Sequence, residues 1–356
     1  MQPEPASAWA LATAAVLVVA LVVYTLTGGA DYGGGVWDLL ATGRRRRAQR
    51  QLVAHALSPI WEANHVWLIL IVVLLFVGFP MAFATIGIAL HIPLALALVG
   101  IVLRGASFVF RAYDPRHADQ TEGPWRTVFA VSSAVTPVML GTAFAAVITG
   151  ALALDPVTLV PTGGFLWTWL SPFPLAVGLL VLALDAFLAA VYLVLEAEDP
   201  ALKTDFRRRA LGAAAAVGLL AFTSLALARS HAPLLWLGLT GRTWSLPFQL
   251  ATGMLAVGTL AAVLGRRDRL ARLLAGAQVS LVIGGWAASQ WPWLVLPSLS
   301  IGKAAAPDSV LRPVFLALAA GSALLVPALA WLYRVFKGGG LPGAASGPPG
   351  PAEPPA

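Results

Sequence analysis

The chain contains no cysteine in its 356 residues. Disulfides, thiolate metal sites and cysteine-held iron–sulfur clusters are therefore excluded. Methionine and histidine are sparse, at four and five residues, which leaves little for paired haem ligation. Charge is scarce as well. Only 11% of residues are Asp, Glu, Lys or Arg, and 59% are hydrophobic, where a soluble domain carries roughly 25% and 45–50%. That balance is not the composition of a soluble core.

What the sequence does have is apolar runs of about 20 residues, the length that crosses a bilayer. They fall at 8–27, 58–79, 81–103, 126–148, 172–195, 210–229, 247–265, 271–297 and 310–336. Each predicts a helix, because in lipid a helix satisfies its backbone hydrogen bonds within one segment. The runs are continuous, whereas a barrel would need alternating segments of roughly ten residues. The expected class is an all-α integral membrane protein of about nine transmembrane helices over 1–337. A Gly/Pro/Ala-rich tail over 338–356 reads as disordered. The first run is expected to stay in the mature protein, since Met1-Gln2-Pro3-Glu4 carries an acid and no base where a cleavable signal wants positive charge.

The net charge of +7 could suggest nucleic acid, but its distribution points to a membrane. Of 23 Lys and Arg, only Arg229, Arg242, Lys303 and Arg312 fall on one side of the proposed spans. The other 19 include Arg44 to Arg47, Arg50, Arg104, Arg111, Arg126, Arg207 to Arg209, Arg266 and Arg272. The positive-inside rule makes the rich side cytoplasmic, with the N-terminus outside and the C-terminus, including the tail, inside. The expected location is the cytoplasmic membrane of a bacterium or archaeon. Trp167, Trp169, Trp291 and Trp293 suit an interfacial aromatic belt at the outer face. No strong internal repeat or matched pair of broken helices stands out, which counts mildly against a secondary transporter.

An ionisable side chain inside a span costs roughly 2.5–3.5 kcal/mol, so each one is a functional candidate. By these boundaries two acids fall within spans, Glu62 and Asp185, and His65 and His91 join them. Ser58 suits an N-cap and Pro59 the first helical position, which places Glu62 about one turn, roughly 5 Å, inside the cytoplasmic end. Its carboxylate either complements the helix dipole or accepts protons at the mouth of a route. Glu62 and His65 share a face, but the second Glu-x-x-His that a di-metal bundle site needs is missing. His91 is expected about ten residues into its span, roughly 15 Å deep. It reads as a hydrogen-bonded core imidazole, a relay member or a haem ligand. Asp185 stands alone in Leu182-Ala183-Leu184-Asp185-Ala186-Phe187, and must be protonated, paired or facing water. Arg104 and Arg111 read as snorkelling arginines or as anchors for an anionic group.

Four stretches resemble subunit II of the cytochrome bd quinol oxidase family. The first is Thr27-Gly28-Gly29-Ala30-Asp31-Tyr32-Gly33, followed by Leu39-Leu40 and a basic run, where the family shows Asp-Gly-Phe-Asp-x-Gly. The most specific is Pro59-Ile60-Trp61-Glu62-Ala63-Asn64-His65-Val66-Trp67, against Trp-Asp-x-Asn-x-Val-Trp, with Phe79-Pro80 and Phe83-Ala84 following. The third runs from Leu103-Arg104-Gly105 to Phe110-Arg111, and the fourth from Trp291-Pro292-Trp293 through Leu296-Pro297-Ser298 to Ala306-Pro307. Between them the chain is similar only in hydropathy and around Tyr192 to Arg209. Departures mark a divergent member: Gly28 and Ala30 stand where the family has Asp and Phe, Glu62 where it has Asp, and Val109 where an acid is expected.

The resemblance implies a complex of two similar subunits that oxidises quinol and reduces oxygen to water with cytoplasmic protons. Subunit I would hold the haems, b and d, and the quinol. This chain would bind no haem or metal, complete the fold and contribute to the proton route. The implied partners are that subunit, membrane lipid and small accessory subunits, with no nucleic acid. The proton-relay candidates are Glu62, His91 and Asp185. Asp31, Trp61, Asn64, Trp67, Arg104 and Arg111 are motif positions. Two other functions compete, a proton-coupled transporter and a purely structural membrane subunit.

The topology is directly testable. Reporter fusions after Arg50, Glu122, Arg209 and Arg272 should all report cytoplasm, and an outside signal at any two would overturn the orientation.

Overall fold

The computed structural model describes residues 3–57, 61–113, 123–155, 157–158 and 160–337, the side chains at 57, 61–63, 111–113, 333 and 335–337 excepted. The apolar runs fold as helices, as backbone satisfaction in lipid requires. In order these are α1 (Ala8–Leu39), α2 (Arg46–Leu57), α3 (Trp61–Gly78), α4 (Pro80–Ala89), α5 (His91–Tyr113), α6 (Pro124–Ala146), α7 (Pro172–Glu196), α8 (Pro200–His231), α9 (Pro233–Thr240), α10 (Ser245–Leu264) and α11 (Asp268–Gln290). A small antiparallel hairpin, β1 (Trp293–Val295) and β2 (Leu299–Ser300), follows, then α12 (Ile301–Ala304) and α13 (Asp308–Lys337). Among the described residues eight helices are long and apolar enough to cross a membrane. A ninth span results if the bent pair α3 and α4 counts as one. The chain divides into two units, Met1–Leu311 and Arg312–Ala356. The described part of the second is the remainder of α13, a helix interrupted by Pro313 and Pro327.

Three boundaries differ from the sequence expectation. The first span does not stop at residue 27 but runs on as helix through Gly28–Gly35 to Leu39. Asp31 and Asp38 therefore belong to a membrane helix, 8% and 1% exposed, so the expectation that Glu62 and Asp185 are the only acids within spans is corrected. Between the first two spans lies an additional helix, α2. The Phe79-Pro80 step is not a simple turn between two full spans. The chain bends by 116° between α3 and the ten-residue α4. Pro80 has no N–H to continue the ladder, Phe79 leaves helical geometry at φ −138°, and the freed carbonyl of Gly78 accepts from Ala306 N–H at 2.8 Å.

The bend moves His91. A second break at Leu90 (φ −116°) makes His91 the first residue of α5 rather than the tenth residue of a span, and its side chain is exposed. Its Nδ1 lies 2.9 Å from the Ile88 carbonyl oxygen, and its ring meets Phe165 edge-on at 5.2 Å. The expected position about ten residues into a span is thus corrected. Ser58 and Pro59, the expected cap, lie outside the described residues, as does the tail over 338–356.

The centre of the first unit is the contact of α1 with α7. Lipid removes the hydrophobic drive between helices, so close backbone packing has to hold them. Gly33 lets α7 approach until a Cβ there would lie 1.9 Å from the Asp185 carbonyl oxygen. One turn along, Trp37 Nε1–H donates to the Ala186 carbonyl at 2.7 Å. Gly141 of α6 and Gly178 of α7 do the same between those helices, where a Cβ on Gly141 would come within 2.8 Å of Gly178 Cα. Phe187, Leu188, Val191, Phe206 and Val279 fill the core around this junction.

Gly33→Ala should therefore lower stability by about 1–3 kcal/mol or more, the cost of overpacking. Gly253→Ala, on α10 with nothing within 4 Å of the added Cβ, should be neutral or stabilising by up to about 1 kcal/mol. Thermal unfolding of the two variants in one detergent compares them, and equal midpoints would contradict the packing.

Candidate functional site

Where α1, α3, α5, α6 and α7 meet, polar side chains face one another inside the bundle. Asn64, the fourth residue of α3 and 4% exposed, donates through Nδ2 to Asp31 Oδ2 of α1. The same amide lies 3.4 Å from the Thr27 carbonyl. The first and second sequence motifs thus meet as one carboxylate–amide pair. His65, the next residue, approaches Tyr32: Nε2 lies 3.5 Å from the phenol oxygen. The Tyr32 hydroxyl in turn meets that of Tyr24 at 3.2 Å.

Arg104 of α5 is 2% exposed, not an interfacial snorkelling residue. Its Nε–H donates to Ser133 Oγ of α6 at 3.1 Å, and its guanidinium lies 5.0 Å from the Tyr32 ring centroid and 5.1 Å from that of Phe129. A cation desolvated over an aromatic face gains about 2 kcal/mol from the ring quadrupole. Gly35 of α1 makes room for this anchor, since a Cβ there would come within 2.3 Å of Ser133 Oγ.

Asp185, 2% exposed, lies against α1 at Gly29, where a Cβ would be 2.4 Å from its Oδ1. It is close enough to Asp31 for the two carboxylates to act on each other electrostatically. The structure thus brings Asp185, Asp31, Asn64 and Arg104 into one neighbourhood and leaves His91 out of it. Glu62 is the second residue of α3, in the turn that leads to Asn64 and His65. Its side chain, like those of Trp61 and Arg111, lies outside the described residues. Trp67 is half-buried further along α3.

Nearer the basic end, Asp38 pairs with Arg126 at 3.5 Å. Arg45 grips Asp205 with two hydrogen bonds of 2.8 and 2.6 Å, and Gln49 links that carboxylate to Arg209. Arg207 reaches both oxygens of Asp268 at 2.9 Å. Outside the spans, Asp155 accepts from the backbone of Thr158 and Val157, which holds its carboxyl below the usual range. Among the described residues no three His, Asp or Glu side chains stand together as a metal-binding group.

Tyr24, Tyr32 and Ser133 were missed by sequence reading. Tyr24 and Tyr32 share a helix only because α1 continues through its glycines, and eight-residue spacing is a face signal only once that continuation is assumed. Ser133 in an apolar helix gives no signal of its own.

Comparison with known proteins gives a consistent result. Residues 9–336 match the family described as cytochrome bd terminal oxidase subunit II. The chain is similar to the cytochrome bd-I ubiquinol oxidase subunit 2 of Escherichia coli, 27% identical over 181 residues that cover 49% of this chain and 45% of that protein. It is also similar to a probable cytochrome oxidase subunit 2 of Haemophilus influenzae, 26% identical over 47% of this chain and 44% of that one. The chain thus spans about half the length of the curated relatives it matches. Among solved structures it superposes on the bd oxidase from Geobacillus thermodenitrificans with a TM-score of 0.76 and 21% identity, covering 94% of this chain and all of that one, a likeness of fold.

The Arg104 anchor has its own test. Ser133→Ala removes the acceptor of a buried, charged donor and should cost about 1–3 kcal/mol. Thr223→Ala, a half-buried residue whose hydroxyl bonds to its own helix at Leu219, should change stability by less than about 0.5 kcal/mol. Thermal midpoints read the difference.

Proposed function

This chain belongs to the cytochrome bd terminal oxidase subunit II family, and from that premise we propose that it serves a bd-type oxidase which oxidises quinol and reduces oxygen to water. Like the family, it is a multi-pass protein of the bacterial plasma membrane. In the proposed complex the haems and the quinol site belong to a partner subunit I. This chain supports that subunit, and its buried acids carry part of the proton supply from the cytoplasm. Membrane lipid and small accessory subunits complete the proposed surroundings.

The observation that carries the proton reading is the Asp31–Asn64 pair beside Asp185. Carboxylates in a bilayer are costly, and here two of them, on different helices, lie within electrostatic reach of each other. Packing alone would be served by apolar side chains. General acid–base transfer requires groups that cycle between charged and neutral forms, and a chain of such groups is what a route from one face into the bundle needs. In the orientation proposed from the arginine bias, α3 begins at the cytoplasmic face. Glu62 in its first turn then takes up the proton, Asp31 lies next on the path, and Asn64 orients Asp31 without titrating itself. Arg104, held by Ser133 and two rings, is a fixed positive charge that keeps the neighbourhood electrostatically balanced. His91, exposed at the head of α5, has no place in this route.

Glu62→Gln in the assembled oxidase should cut quinol-driven oxygen consumption at least about tenfold, or about 1.4 kcal/mol on the barrier, with normal haem content. Glu62→Asp should retain much of the activity. If Glu62 only complements the helix dipole, Gln should cost about 0.3–1 kcal/mol of stability and leave turnover intact. Full turnover in both Glu62→Gln and Asp31→Asn would favour a purely structural subunit, and a purified chain that moves protons without a haem-bearing partner would favour a transporter.

A further inference from the structure

Tyr24 and Tyr32 sit eight residues apart on α1, about 12 Å along its axis, yet their hydroxyl oxygens meet at 3.2 Å. The two rings must lean toward each other over the turn between them, and that turn carries Gly28. A Cβ at Gly28 would come within 2.9 Å of Cε2 of Tyr24, so the bare glycine is what lets this ring lie along the helix. Both tyrosines are buried, 7% and 1% exposed. His65 stands edge-on to both rings, at 6.4 and 6.3 Å, with Nε2 at 3.5 Å from the Tyr32 oxygen. At the next residue of the same helix, Gly29 receives the carboxylate of Asp185, which acts electrostatically on the Tyr24 phenol.

We infer that Tyr32 and Tyr24 form a hydroxyl relay that carries protons between His65, at the start of α3, and Asp185 on α7. The inference rests on the proton-route reading above and supplies its deeper leg. A phenol both donates and accepts, so no lasting tyrosinate is needed. The imidazolium of His65 releases its Nε2 proton to the Tyr32 oxygen while Tyr32 passes its own proton to Tyr24. Tyr24 releases its proton to the Asp185 carboxylate, which becomes the neutral acid, and His65 is left as neutral imidazole. Each hydroxyl ends with one proton and turns back before the next transfer. Arg104, over the Tyr32 ring, and Ser133, which holds Arg104, position that ring.

The test uses the assembled oxidase in liposomes with Tyr24→Phe, Tyr32→Phe and Gly28→Ala. The phenylalanines keep the rings and remove only the hydroxyls. The alanine keeps both hydroxyls and displaces the Tyr24 ring. The relay predicts that each variant slows proton uptake in a single turnover by about threefold or more, which is about 0.65 kcal/mol or more on the barrier. The solvent deuterium isotope effect should rise, and haem content should stay normal. A role confined to packing would lower the thermal midpoint and leave uptake rate and isotope effect unchanged, and that result overturns the relay. If a phenylalanine variant fails to assemble, Gly28→Ala decides alone by the same criteria. Unchanged tyrosine variants beside a slow Glu62→Gln would sink the relay and leave the proton route standing. Unchanged rates in all of them would sink both.

Discussion

The close approach of α1 to α7 is the constraint on which the rest of the bundle depends. Between lipid tails, apolar side chains gain nothing by leaving one membrane helix for another, and association rests on dispersion and on polar contacts made at short range. Gly33 permits that range against the Asp185 carbonyl, and the Trp37 indole closes on the next carbonyl. The seam also decides where Asp185 must be. Its carbonyl lies against Gly33, Trp37 bonds the carbonyl of the next residue, and its carboxylate sits in the gap at Gly29. Five glycines lie between Gly28 and Gly35, and each would weaken a helix in water by about 1 kcal/mol relative to alanine. In lipid the segment stays helical because an unwound backbone there would have no hydrogen-bond partner.

A different logic governs the basic end. Arg45, Arg126, Arg207 and Arg209 are tied to Asp205, Asp38, Asp268 and Gln49, and Arg209 also lies over the rings of Trp37 and Phe206. Exposed ion pairs contribute little individually, so the half-exposed Arg45 fork matters more for fixing α2 against α8 than for stability. Asp38 with Arg126 is the other case. That carboxylate is almost wholly buried, where losing one partner of an ion pair costs more than it does at the surface. The arginines counted for the proposed orientation are also the ones that pair across its helices, because a topology rule counts charges without asking what they touch.

Span number and class were legible in the sequence because hydropathy integrates over some twenty residues and tolerates local error. The helix boundaries at Gly28 and Phe79 were not, because both turn on tertiary contacts. Glycine runs usually mark loops, and only the partner helix explains why this one is packed. Pro80 marks a break, but its 116° sense depends on the carbonyl of Gly78 finding Ala306 from a segment more than 200 residues away. The misplacement of His91 follows from that bend together with the break at Leu90. Within the site, Asp31 and Asn64 were legible as motif residues, Asp185 as an acid in an apolar run, and Arg104 as one of two flanking arginines. Their convergence was not legible, since nothing in the spacing says that residue 31 meets 64 or that 29 meets 185.

α1 carries one side of most contacts in the polar neighbourhood. Asp31 receives Asn64, Tyr24 and Tyr32 receive each other and His65, Gly29 receives Asp185, and Gly35 makes room for the serine that holds Arg104. Packing and chemistry are therefore written into the same twelve-residue segment, Tyr24 to Gly35. A substitution at Gly29 or Gly33 that adds side-chain volume shifts α7 and with it the carboxylate, so it changes packing and chemistry together, whereas a Cβ at Gly28 meets only the Tyr24 ring. The assignable changes keep volume and remove one atom's chemistry, Asp to Asn or Tyr to Phe, or act from the partner helices at Asn64, Ser133 and Asp185. Because the partner helices bring these groups to α1 independently, each contact can be removed from the far side while the glycine seam stays closed.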